Sequence, residues 1–174
     1  MEEKKTMSIY TKGILISMIV IVLGIAGYLS GIAFNGWYNW AVNGLLFIGI
    51  VIACIHFANE NEGFVTFGKV FSHGFKVSAF VAIILVIYSV LSMQLIFPEI
   101  KEKAMEMSRQ QMEEKGNMTD DQIDQAISFT KKYFLAFAIF GVLIGTVLFG
   151  LVASLVGAAL AKKKPVNPMD NLGS

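Results

Sequence analysis

The chain has 174 residues, 55% of them hydrophobic and 16% charged, with a mean hydropathy of +0.64. An ordinary soluble domain is about a quarter charged. The net charge of +1 supplies no basic field for nucleic acid. The single cysteine, Cys54, excludes an internal disulfide framework and leaves the redox compartment open.

The charge deficit is concentrated. No Asp, Glu, Lys or Arg lies between Lys12 and Glu60, between Lys76 and Glu99, or between Lys132 and Lys162. Long uncharged blocks between charged islands are what a bilayer selects, because a charge at its centre is costly. A membrane helix needs about 20 apolar residues to cross about 30 Å of hydrocarbon. The first block is long enough for two spans. Span one is expected at 14–34, too long for the apolar region of a cleaved signal peptide. The break falls at Asn35-Gly36-Trp37-Tyr38-Asn39-Trp40, where Asn and Gly favour a turn and the aromatic rings suit the headgroup layer. Span two then covers 40–57, joined to span one by a tight hairpin.

Span three is expected at 77–97 and is stopped by Pro98. Its helix is expected to begin earlier, capped by Thr66. Phe67, Phe71 and Phe75 recur on one stripe, and Lys69, His73 and Lys76 fall on another. That pattern predicts an amphipathic lead-in at the interface, with Lys69, His73 and Lys76 meeting anionic headgroups.

Residues 99–132 form the one substantial polar island. Glu99–Lys115 is rich in helix formers, and Gly116-Asn117 is a stop signal. Thr119 to Gln122 fits a capping box, and Asp120, Asp121 and Asp124 favour the start of a helix. That helix can run unbroken into span four, at 134–161. The island therefore reads as a polar helical hairpin outside the membrane. Ile100, Ala104, Met107 and Gln111 share one side of its first arm. Ile123, Ala126, Ile127 and Thr130 share one side of the second, and the two stripes are expected to face each other. Met105 and Met112 lie off that seam. They are either an exposed partner surface, since methionine is an adaptable contact, or a cover for the membrane-facing base of the hairpin. Lys162-Lys163-Lys164-Pro165 stops the last helix, and 166–174 reads as a disordered tail. The expected fold is an all-α integral membrane protein, with four transmembrane helices in a bundle forming one domain over 1–165.

Four spans put both termini on one side. The terminal side carries Lys4, Lys5, Lys12, Lys69, Lys76, Lys162, Lys163 and Lys164. The other side carries Lys101, Lys103, Arg109, Lys115, Lys131 and Lys132, all in the polar island. Span one is flanked entirely on the terminal side, which predicts cytoplasmic termini in an inner membrane.

Small residues four apart allow close helix approach in lipid. The candidates are Gly27 with Gly31, Gly49 with Ala53, Gly141 with Gly145, Gly150 with Ser154, and Ala153 with Gly157. They predict packing within the bundle, or a homodimer face on span four. His56 and His73 lack the ligand count and spacing of a zinc site, and no metal or other cofactor is expected. No Asp, Glu, Lys or Arg lies deep in any expected span. That argues against a proton-driven carrier and against intramembrane acid–base catalysis.

The segment Phe67-Gly68-Lys69-Val70-Phe71-Ser72-His73-Gly74-Phe75, the tight first hairpin and the long polar insertion before span four together resemble a family of small four-span bacterial membrane proteins, domain of unknown function 4199, found in Bacteroidota. The resemblance covers roughly residues 8–165. It implies a fold, a lineage and a membrane, and it carries no catalytic residue. The expected function is a non-enzymatic binding subunit or modulator of an inner-membrane assembly, embedded in lipid and touching a membrane-protein partner. The runner-up is a small-molecule carrier or channel acting as a homo-oligomer. An enzyme acting on lipid is disfavoured, because no paired carboxylates, nucleophile–base pair or metal cluster stands out.

Overall fold

The structure, a computed structural model, describes residues 7–164. The expected tail at 166–174, and Lys4 and Lys5, lie outside the described residues. Among the described residues there are five α-helices: α1 (Ile9–Leu29), α2 (Gly36–Glu60), α3 (Phe67–Leu91), α4 (Ile100–Lys115) and α5 (Asp120–Leu160). A π-helical turn, Ser92–Ile96, follows α3 directly. Four of the described helices are long and apolar enough to cross a membrane: Ile9–Leu29, Gly36–Glu60, Phe67–Ile96 and Asp120–Leu160. The chain is all-helical among its described residues.

Local chemistry sets the helix ends. Ser8 caps α1, its hydroxyl accepting from Thr11 N at 3.1 Å, so α1 begins before the apolar run does. At the other end, Gly31 takes a left-handed φ of 73°. Gly27 O accepts from Ile32 N and Ala33 N, each at 3.0 Å, which closes the helix. Gly31 therefore terminates α1 and is no partner to Gly27 in a helix-packing pair. Asn35 stands at the N-cap of α2, so Trp37, Tyr38 and Trp40 fall in the first turns of α2 rather than in the connection. Thr66 caps α3, accepting from Lys69 N at 3.3 Å.

The chain divides into two compact units, 1–85 with 145–174, and 86–144. In the first, α1, α2, α3 as far as Leu85 and α5 from Gly145 onward pack together. Glycines mark the close approaches. Gly27 lies under the Tyr38 ring, and a Cβ on Gly49 would sit 3.2 Å from Ile16. Gly74 faces Cys54 and Ser154, and Gly150 faces Ser78. A Cβ on Gly157 would sit 2.7 Å from Cys54 Cβ, and Ala53 is buried nearby in sequence. Nothing lies within 4 Å of a Cβ placed on Gly145. Packing within the chain is therefore not seen at Gly145, and the homodimer alternative is untouched. A core of Cys54, Ala58, Val65, Val70, Ala158 and Ala161 fills the end of this unit near the α2–α3 loop. Buried hydroxyls turn back to their own helix. Ser17 donates to Gly13 O at 2.8 Å and Ser154 to Gly150 O at 2.6 Å.

The second unit holds the end of α3, α4 and the first part of α5. Gly116 ends α4 with a φ of 63°. Thr119 and Gln122 form the capping box: Thr119 N donates to Gln122 Oε1 at 2.9 Å, and Gln122 N donates to Thr119 Oγ1 at 3.4 Å. Arg109 on α4 donates to Asp124 on α5 at 2.6 Å and to Glu113 at 3.0 Å. These bonds hold its guanidinium above the ordinary arginine range, with Asp124 the largest cause. Ile123 is buried and Ala126, Ile127 and Thr130 are half-buried, the side expected for the second arm. On the first arm Met105 is the buried residue, while Gln111 is exposed and Met112 half-buried. Of the two readings for Met105 and Met112, exposure does not hold for Met105, which is buried, while Met112 is half-buried. Gly141, also in this unit, has nothing within 4 Å of an added Cβ, so packing within the chain is not seen there either.

Candidate functional site

The polar chemistry of the first unit gathers at one end. Lys12, in the first turn of α1, is buried. Its Nζ lies 2.7 Å from Glu60 Oε2 at the last residue of α2, with side chains only 4% and 11% exposed. Glu60 also accepts from Met7 N, and its Oε1 lies 3.3 Å from His56 Nδ1, one helical turn back. On the other side, Lys12 Nζ lies 3.5 Å from His73 Nε2 on α3. An ammonium has donors only, so the imidazole takes part through an unprotonated Nε2 that accepts. The His73 ring stacks on Phe57, with centroids 4.1 Å apart and planes 11° apart. Lys12 also stands over the Phe57 ring at 5.9 Å.

Three helices thus contribute to one knot: Lys12 from α1, His56, Phe57 and Glu60 from α2, and His73 from α3. A buried charge is tolerated only when paired and hydrogen-bonded, and among the described residues no buried side-chain nitrogen or oxygen lacks a partner. The expected stripe is corrected here. His73 is buried inside the knot, while Lys69 and Lys76 remain exposed.

Outside the knot lies an open groove of about 530 Å³, walled by Ile9 and Phe57 and by the first three turns of α3. Lys69, Ser72 and Lys76 line it, and His73 meets it from below. Positions 69, 72 and 76 share a helix face. No ion pair joins Lys69 or Lys76 to a carboxylate among the described residues. The last turn of α5 reaches the same end of this unit. Lys164 N donates to Gly63 O at 2.8 Å, and Lys163 donates to the carbonyls of Ala158 and Ala161, capping the helix terminus. The beginning of α1 and the end of α5 therefore both meet the α2–α3 connection.

Of the residues singled out in the sequence, the groove collects Lys69, His73 and Lys76. Lys12, Glu60 and Phe57 were missed as a group. A signal was present: Lys12 and Glu60 bound one uncharged block with opposite signs, and two antiparallel spans return its ends to the same side. Among the described residues, no three of His, Cys, Asp and Glu converge where a metal ion could sit.

Apolar helices of spanning length, with charges gathered at helix ends, define a multi-pass helical membrane protein. Residues 11–163 match the family described as Protein of unknown function (DUF4199), and the chain belongs to that family. No curated protein and no solved structure matches the chain significantly.

Proposed function

We propose that this protein is a non-enzymatic binding subunit or modulator of a larger assembly in the inner membrane of a Bacteroidota bacterium, with both termini in the cytoplasm. The observation that carries the reading is the polar arm formed by α4 and the start of α5. Arg109 ties the two helices together, and the outer side of α4 is left to exposed charges including Glu102, Glu106 and Glu114. A pinned, charged helical pair presents a preorganised surface to a protein partner at low entropic cost. The contact surface is then the charged outer side of the arm rather than its methionines. The orientation rests on the excess of lysine at the terminal side, although Lys12 spends its charge on Glu60.

The test is replacement of 101–131 by a short Gly-Ser linker, followed by cross-linking and purification in mild detergent. The spans still insert, because each meets the length requirement without the arm, and a co-purifying protein is lost. Unchanged cross-links defeat the reading. A discrete homo-oligomer without any other protein would favour a carrier or channel formed by copies of this chain. The uncovered Gly141 and Gly145 support that second reading.

A further inference from the structure

We propose that the groove beside α3 is a site for the phosphate headgroup of an anionic membrane lipid, gripped by Lys69 and Lys76. The charges are arranged for it. The buried ammonium of Lys12 is matched by Glu60 and closed off behind His73, so it adds little net charge to the groove. Lys69 and Lys76 stand about 10 Å apart along α3, both exposed and, among the described residues, paired with no carboxylate. The exposed hydroxyl of Ser72 lies between them on the same face. Two ammonium groups and a hydroxyl donor suit a phosphodiester, which offers acceptors only.

The walls decide the source of the phosphate. Ile9 and Phe57 make one side apolar, which suits the glycerol and upper acyl carbons of a lipid and offers nothing to a free phosphate ion. The helix that carries both lysines continues directly into a spanning segment, so a headgroup held here leaves its tails alongside the apolar surface of the chain. This inference is independent of the polar arm and survives the loss of any protein partner.

The experiment is native mass spectrometry of the full chain, released from detergent micelles doped with equal amounts of phosphatidylglycerol and phosphatidylcholine. The wild-type chain retains phosphatidylglycerol in preference. Lys69→Gln or Lys76→Gln alone lowers that affinity about fivefold, and the two together about thirtyfold. The charge-preserving K69R/K76R chain keeps the preference, and so does K101Q/K115Q on the arm. Helical circular dichroism and a monodisperse elution profile establish that each variant is folded. The proposal is overturned if K69Q/K76Q holds phosphatidylglycerol as the wild type does, or if K101Q/K115Q loses as much, which would mean diffuse charge. It is also overturned if inorganic phosphate at equal concentration displaces the lipid, which would make the groove a free-phosphate site.

Discussion

Lys12 and Glu60 stand 48 residues apart and meet at 2.7 Å, the two charges that bound the longest uncharged stretch of the chain. Their contact closes the α1–α2 hairpin at its open end. Removing one partner of a buried ion pair leaves an uncompensated charge, which costs about 3–5 kcal/mol. Lys12→Met or Glu60→Gln should each lower thermal stability in detergent by an amount in that range. The double replacement K12M/E60L should cost less than either, because it leaves no orphan charge. A double variant as unstable as the worse single one would refute the pairing.

The glycines of the last helix should separate into two groups. Gly157→Leu drives a side chain into Cys54 and the backbone of Val51 and should destabilise by about 1–3 kcal/mol or more. A Cβ at Gly141 or Gly145 meets nothing within 4 Å among the described residues, so Gly141→Ala and Gly145→Ala should not lower thermal stability of the monomer. If Gly145→Ala instead weakens a homo-oligomer seen on a sizing column, the uncovered face belongs to a second copy.

Arg109 fastens the arm through exposed ion pairs, so its effect should respond to salt. Arg109→Gln should speed amide hydrogen exchange around 116–124, and high salt should reproduce part of that effect in the wild type. The guanidinium is held above its ordinary range by Asp124 and Glu113. While Asp124 and Glu113 are ionised, that contribution is present below the ordinary arginine value and is lost as pH rises through the raised one. Exchange that is indifferent to both the substitution and salt would show that apolar contacts around Met105 and Ile123 hold the arm alone.

Topology is directly measurable. A reporter fused after Ser174 should be active when it reads the cytoplasm and silent when it reads the periplasm. A second reporter placed between Gly116 and Thr119 should behave in the opposite way. Reversal of both assigns the lysine-rich end to the periplasm and removes the basis for the orientation.

Much of the architecture was legible in the sequence. Uncharged runs located the spanning helices, and short-range chemistry located the ends: Thr119 with Gln122, Thr66, and Gly116 all act where their side chains or backbone freedom predict. Such signals are local, so they survive without knowledge of the neighbours. Gly31 shows where local reading needs care. It sits four residues from Gly27 as a packing pair would, yet its positive φ makes it a terminator.

What the sequence could not determine was which face of each spanning helix points inward. In lipid the outer surface is as apolar as the core, so hydropathy does not distinguish them. His73, one turn from Lys69 and Lys76, could be read as part of an exposed stripe. Only the approach of α1 and α2 places it against Phe57 and Lys12. The same limit hid the difference between Gly157, pressed on Cys54, and Gly145, uncovered. On α4, which is rich in charge, the pattern was informative but its rotation was not, and Met105 rather than Met107 is the buried methionine. Helical periodicity fixes which residues share a face. The choice of face is made by the neighbouring helix, and with it the conversion of Lys12 from a flanking charge into the centre of a buried knot.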